Sequence, residues 1–154
     1  MNNHAAIPGA SPVTLKRARA RAFAERAAQR AAHLPEAERL LVLAICQQGQ
    51  SATHLAALMG KPSRTIRRRI RNLLRRVMTP EFALVVASRQ DWAPTMRDVA
   101  TACIINGRSL TAAARDLSLS YHIVRRHRDA IVAMARAQSS RTARTLPAQH
   151  KAAA

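Results

Sequence analysis

Aromatic residues are almost absent from this chain of 154 residues, in which two phenylalanines, one tryptophan and one tyrosine make up 3% of the sequence. Proteins that bind single-stranded DNA or RNA loops stack bases on aromatic side chains, so the composition disfavours strand melting and base stacking. Negative charge is also scarce, since eight carboxylates stand against 26 lysines and arginines and leave a formal net charge of +18. This balance predicts a polyanionic partner, and the shortage of aromatic residues favours the backbone of a duplex.

Side chains that form catalytic or metal sites do not cluster in the sequence. Cys46 and Cys103 each lie in an apolar run, which is typical of small buried hydrophobic residues, and no Cys/His cluster indicates zinc. The six histidines are scattered, no two carboxylates suggest an acid/base pair, and the four glycines form no phosphate loop. We therefore expect no enzyme, no metal and no cofactor. Without an apolar run of ~18 residues or a signal peptide, we expect a cytoplasmic, nucleoid-associated protein that does not contact membranes.

The stretch 51–77, SATHLAALMGKPSRTIRRRIRNLLRRV, predicts a helix, a tight turn and a second helix. Gly60 lies where the first helix must end and predicts a positive φ, and Pro62 suits the start of the next helix. Ser51 is the expected N-cap of the first helix. Small and apolar residues recur at helical spacing on both sides of the turn; they are Leu55, Ala56, Met59, Ile66, Ile70 and Leu73. This combination predicts a helix-turn-helix motif.

Bacterial helix-turn-helix regulators share a signature that this stretch resembles. The matching residues are Leu55, Ala56, Met59, Gly60, Pro62, Ser63, Thr65 and Ile66. With Leu34, Pro35, Arg39 and Gly49 included, residues 34–77 resemble region 4 of sigma factors, which reads promoters, and the LuxR-type DNA-binding domains. The resemblance implies an all-α fold and duplex DNA as the partner, and for a sigma-like domain it also implies RNA polymerase.

The second helix of this motif is rich in arginine, and no carboxylate lies between Glu38 and Glu81. Because its apolar residues occupy one face, most of the arginines must point to solvent, where a face of one charge sign predicts phosphate binding. We expect this helix to enter the major groove. The residues expected at base edges are Ser63, Arg64, Arg67 and Arg68, and those expected on phosphates are Arg69, Arg71, Arg75 and Arg76. The predicted DNA-binding residues are Ser63, Arg64, Thr65, Arg67, Arg68, Arg69, Arg71 and Arg75.

Residues 98–134 repeat the plan of the first motif at a constant offset of 58 positions, which is the distance from Gly49 to Gly107. The same offset places Ser51 on Ser109 and Ala56 on Ala114. Internal repetition of this kind predicts a second helix-turn-helix, with helices at 109–117 and 120–134 and with Ser118 in place of the turn glycine.

The second copy departs from the first in charge. Asp116 and Asp129 add negative charge, so its positive field is expected to be weaker, and binding to DNA or to a protein both remain open. Its predicted DNA-binding residues are Tyr121, His122, Arg125 and Arg126.

The regions outside the motifs complete the predicted all-α fold, a tandem helix-turn-helix of two tri-helical units with basic, partly disordered termini. We expect a disordered start and a basic Ala/Arg helix at 1–33, first and second units at 34–80 and 98–135, a connector at 81–97 and a disordered basic tail at 136–154. In the connector, Phe82 predicts a short buried helix and Trp92 a core contact between the units. The basic helix has little to bury, so it is either an arm that binds phosphates or a solubilising helix; its arginines are Arg17, Arg19, Arg21, Arg26 and Arg30.

These observations predict a DNA-binding transcription regulator, an activator, of bacterial or phage-derived origin. It would read two half-sites either as a homodimer or through its tandem repeat. One alternative is a sigma-like factor or antiterminator that binds RNA polymerase, and another is a non-specific nucleoid or packaging protein. Binding of RNA through the basic helix is a further alternative.

Overall fold

The computed structural model describes residues 12–145, and every regular element within that range is a helix, which confirms the predicted all-α class. The helices are α1 (Pro12–Ala31), α2 (Glu36–Cys46), α3 (Ala52–Leu58), α4 (Ser63–Val77), α5 (Pro80–Ser88), α6 (Pro94–Ala100), α7 (Leu110–Asp116) and α8 (Tyr121–Thr145). A 3₁₀ turn at Arg89–Asp91 follows α5, and a π-helical turn at Thr101–Ile105 continues α6. The predicted disorder at 1–11 and 146–154 lies outside the described residues.

The helix pair α3–α4 forms as the sequence predicts. The Ser51 side chain caps α3 by accepting a hydrogen bond from the His54 N–H at 3.1 Å. Gly60 adopts a φ of +59° after α3, and α4 ends at Val77, where the predicted stretch 51–77 ends. Among the six small and apolar residues at helical spacing, Met59 is the one that is not buried, since it is 38% exposed. The buried stripe of α4 consists of Ile66, Ile70, Leu73 and Val77.

The helix pair α7–α8 repeats the backbone of α3–α4. Gly107 has a φ of +65° where Gly49 has +64°, and Ser118 has a φ of +54° where Gly60 has +59°. Ser109 caps α7 by accepting a hydrogen bond from the Ala112 N–H at 3.2 Å, as Ser51 does for α3. The constant offset in the sequence is therefore also a repeat of backbone conformation.

Backbone hydrogen bonds in the two turns follow the same offset. The Lys61 N–H donates to the Ala56 carbonyl at 3.0 Å, and the Leu119 N–H donates to the Ala114 carbonyl at 2.9 Å. The bonds that precede each pair also correspond; they run from Gln50 to Ala44 and from Arg108 to Ala102, both at 2.9 Å. The repeat therefore extends from the helix before each pair to the turn inside it.

A single main core joins both helix pairs. Phe82 and Val85 of α5 are fully buried in a cluster that also contains Ile66 of α4 and Ile131 of α8. The segment 81–97 thus contains the centrally packed α5, the 3₁₀ turn and the start of α6, and Trp92 packs against the same core as predicted. A smaller cluster supports the second pair; its buried residues are Val99, Ala102, Ala113, Ala114 and Val124.

Both flanking helices differ from the expectation. The second half of α1 buries Ala27, Ala28 and Ala31, because a face of small side chains lets α1 approach α2 closely. The predicted disordered tail is wrong for residues 136–145, because α8 continues to Thr145. No glycine or proline interrupts the sequence from Tyr121 to Thr145, so nothing ends the helix there. None of the helices within residues 12–145 combines the length and the apolar character that a membrane crossing requires.

Candidate nucleic-acid interface

The outer face of α4 carries a row of four exposed arginines, Arg64, Arg68, Arg71 and Arg75. At about 100° per residue, these positions lie on the side of the helix opposite the buried stripe. The row covers eleven residue steps and is therefore about 16 Å long. The burial of the apolar stripe thus forces the arginines outward, as the sequence predicts.

The N-terminal half of α4 forms a basic groove of about 570 Å³, lined by Arg64, Thr65, Arg67, Arg68 and Arg71. No carboxylate lines this groove. Among residues 12–145, the ion pairs include none of these arginines. An unpaired cluster of guanidinium groups repels itself and attracts anions, so the groove is a ready site for phosphate oxygens.

The remaining predicted residues of α4 flank the outer row. Arg67 is exposed, and its guanidinium donates a hydrogen bond of 3.1 Å to the Thr53 hydroxyl on α3. Thr65 is exposed, whereas Ser63 and Arg69 are half-buried at the edges of the helix. The structure therefore places all eight residues on one helix but gives them unequal access to a partner, because six are exposed and Ser63 and Arg69 are half-buried.

Two arginines turn inward: Arg76, which was expected to bind phosphates, and Arg30, for which a phosphate-binding and a solubilising role were both open. Arg76 forms an ion pair with Glu38 of α2, and both side chains are only about one-fifth exposed, at 22% and 21%. Arg30 donates a hydrogen bond of 2.8 Å to the carbonyl of Val77, the last residue of α4. A cation at a helix C-terminus offsets its partial negative charge, so Arg30 anchors α1 to α4. Burial, and secondarily the charge of Arg26, lowers the pKa of the Arg30 guanidinium.

A second groove of about 510 Å³ lies where α1 meets α4. Phe23, Leu74 and Met78 give it an apolar lining, and Arg71 and Arg75 also border it. The arginines at the start of α1, including Arg17 and Arg19, are exposed, whereas Arg21 pairs with Glu25 at 2.9 Å. The basic surface of α1 is therefore separated from the outer face of α4 by this apolar strip.

The equivalent face of the second pair is less basic. Tyr121, His122, Arg125 and Arg126 are all exposed at the start of α8, as the repeat predicts. Arg125 and Arg128 both lie 3.6 Å from Asp129, which neutralises part of their charge. On α7, Asp116 lies 3.4 Å from Arg108 and 3.9 Å from Arg115. The Tyr121 and His122 rings contact each other edge to face, with centroids 6.0 Å apart.

The cysteines and one histidine have shifted pKa values without forming a site. Burial raises the pKa of both Cys46 and Cys103, which disfavours the reactive thiolate. Burial, and secondarily the charge of Arg89, lowers the pKa of His33. Within residues 12–145, no three His, Cys, Asp or Glu side chains are placed to hold a metal ion.

Comparison of the chain with family models, with curated proteins and with solved structures finds no match. The functional proposal therefore depends on the geometry and charge of the chain's own residues.

Proposed function

We propose that this protein is a transcription regulator that binds duplex DNA, with α4 as the helix that enters the major groove. The observation that carries the proposal is the row of exposed arginines on α4, and among the described residues no carboxylate lines the grooves that this row borders. A solvated helix normally carries both charge signs, whereas a helix that binds a polyanion gains from carrying only one.

The shape of the α3–α4 pair supports groove reading rather than backbone binding alone. Pure backbone binders need no protruding helix, whereas α4 follows a tight turn and exposes its first turns to solvent. Arg64 and Arg68 lie at the N-terminal end of that face, where a recognition helix approaches base edges. The two-pronged guanidinium group matches the O6 and N7 acceptors of guanine, so these two arginines are the proposed base-reading residues. Arg71 and Arg75 then lie farther along, beside the phosphates.

Selection of binding sites from a random duplex pool, followed by fluorescence anisotropy titration, tests the proposal. Arg68→Ala should weaken binding to the selected site by ~1–3 kcal/mol and relax sequence preference at one position. Arg75→Ala should weaken binding evenly across sequences. Arg136→Ala, which removes the same charge from the exposed far part of α8, is the matched control. Absence of duplex binding would refute the function, and an even loss for both Arg64→Ala and Arg68→Ala would refute the assignment of base reading.

Chromatin immunoprecipitation along the chromosome tests the regulatory part of the proposal. A site-specific regulator gives sharp peaks at a few promoters, and an inhibitor of transcription elongation leaves them unchanged. Signal that spreads through transcribed genes and disappears with the inhibitor would instead identify a factor that travels with RNA polymerase. Signal distributed evenly over the chromosome would identify a non-specific DNA-coating protein.

A further inference from the structure

Two glycines occupy equivalent places in the repeat but have different surroundings. Gly49 and Gly107 have nearly the same φ, +64° and +65°, in the turns before α3 and α7. Open space surrounds the position that a side chain at Gly49 would occupy. At Gly107, an added methyl group would overlap the guanidinium of Arg76, because the carbon of that methyl group would lie only 3.1 Å from the Arg76 Cζ. The absence of a side chain at Gly107 therefore makes room for a residue of the first helix pair.

Arg76 joins three parts of the fold. It begins on the last turn of α4, forms its ion pair with Glu38 on α2, and lies against Gly107 in the turn before α7. The position that corresponds to Arg76 at the repeat offset is Met134, an uncharged residue that is 38% exposed. The Arg76 contact thus has no counterpart in the second pair, and it connects the two pairs rather than belonging to the repeated plan.

The contact lies beside a core that already links the two pairs. Phe82 of α5 belongs to the same buried cluster as Ile70 of α4 and Ile105, which directly precedes the turn at Gly107. Apolar packing is non-directional, so by itself it specifies orientation less sharply than a charged group held in one geometry. Arg76 supplies that directional contact at the point where α4 ends and the second unit's turn begins.

We propose that Arg76 is a positioning residue that fixes the second helix pair relative to α4, so that the chain binds one duplex at two segments of fixed spacing. This inference rests on the proposed function. Helix pairs joined by a flexible linker tolerate changes in spacing, because lengthening a loop costs little entropy. A rigid pair cannot follow a second segment that rotates around the duplex, and DNA turns once in about 10.5 base pairs.

A thermal unfolding experiment on the free protein tests the contact without DNA. Gly49→Ala and Gly107→Ala introduce the same backbone strain, but only the methyl group at position 107 would displace the Arg76 guanidinium, which is held by Glu38. The expected result is therefore a larger loss of Tm for Gly107→Ala. In a chain that already carries Arg76→Ala, Gly107→Ala should lower the Tm no more than Gly49→Ala does, because the overlapping side chain is gone. Equal losses for the two glycine variants in the wild-type chain, or an excess loss that persists in the Arg76→Ala chain, would overturn the role of Arg76.

Titration of duplexes with altered spacing tests the consequence for DNA. The site is first selected from a random pool, its protected segments are mapped by footprinting, and five or ten base pairs are then inserted between them. The wild-type chain should lose about tenfold or more in affinity with either insertion, because five base pairs turn the second segment to the opposite face of the duplex and ten move it about 34 Å along the duplex, out of reach of a rigid pair. Arg76→Ala should depend less on spacing than the wild type does, because the shared core remains while the directional contact at Gly107 is lost. Arg75→Ala, the exposed neighbour, should keep the wild-type dependence on spacing while it binds less tightly.

The outcomes separate the two proposals. Failure to select any duplex site overturns the proposed function, whereas the thermal comparison of the glycine variants still decides whether Arg76 makes its contact. A selected site with a single protected segment, or a wild-type affinity that does not depend on spacing, overturns only the inference about fixed spacing. A variant at Arg76 that keeps the wild-type spacing preference also overturns it.

Discussion

Replacement of the outer arginine row of α4 by glutamine should remove much of the salt dependence of DNA binding. The variant carries Arg64→Gln, Arg68→Gln, Arg71→Gln and Arg75→Gln. On the proposed assignment Arg71 and Arg75 contact phosphates, and each such contact contributes about 0.9 to the slope of log affinity against log salt, so the variant lowers the slope by about 1.8. Between 50 and 200 mM salt, this difference amounts to about one order of magnitude in relative affinity. Fluorescence anisotropy titrations on one labelled duplex at several salt concentrations measure it.

A matched variant on α1 controls for net charge. Replacement of Arg17, Arg19, Arg21 and Arg26 by glutamine lowers the net charge from +18 to +14, as the α4 variant does, since each loses four positive charges. The α1 variant should keep a steeper slope than the α4 variant if contact, rather than general attraction, carries binding. The decrease of its salt slope relative to wild type decides whether α1 is a phosphate-binding arm, which gives a clear decrease, or a solubilising helix, which gives none. A wild-type slope in the α4 variant would refute the assignment of the interface to α4.

Three further predictions concern stability. Phe82→Ala should lower the free energy of unfolding by about 3–5 kcal/mol, because Phe82 is fully buried in the core shared by both helix pairs. In urea unfolding, the midpoints measured by Trp92 fluorescence and by circular dichroism should shift together, and a loss under about 1 kcal/mol would contradict the shared core. Ser118→Gly should raise the free energy of unfolding by about 0.5–1 kcal/mol, because Ser118 has a φ of +54°, and the matched change Gly60→Ser should lower it by a similar amount. The pKa of His33 is lowered in the folded chain, so on acidification the unfolded chain takes up a proton first, and the free energy of unfolding falls as the pH drops through the ordinary range of histidine. His33→Gln should remove this part of the pH dependence of stability, and an unchanged pH profile would show that His33 does not cause it.

Local signals in the sequence predicted the helix pairs well, because their boundaries depend on neighbouring residues. Ser51 caps α3, Gly60 turns the chain at positive φ, and Thr79 accepts a hydrogen bond from the Phe82 N–H at 3.2 Å to start α5 where α4 must end. The repeat offset then transferred these features to the second pair, including the turn at Ser118. The outward row on α4 followed from the same periodicity, because burying one face of a helix exposes the other.

Contacts between distant residues were not predictable from these signals. Arg30 binds the carbonyl of Val77 across 47 positions, and Arg76 pairs with Glu38 across 38 positions, so helical periodicity could not separate them from the exposed arginines. The sequence does not indicate the packing face of α1, because alanine is only weakly hydrophobic, although Ala27 and Ala31 are fully buried there. When an arginine lies next to the buried face of a predicted helix, the sequence therefore does not tell whether it binds a phosphate or pairs within the protein.

The two helix pairs share a backbone but differ in the surface they present. Ser118 keeps a left-handed conformation that costs a residue with a side chain more than it costs glycine, so packing around the second turn retains the shape of the first. The charges have not been retained in the same way, because Asp129 neutralises part of the basic face of α8 while α4 has no carboxylate on its groove. On the proposed function, α4 therefore supplies most of the salt-dependent affinity. On the same proposal, the second pair would contribute through the shape and hydrogen bonding of Tyr121, His122 and Arg126, and this part of the binding should respond less to salt.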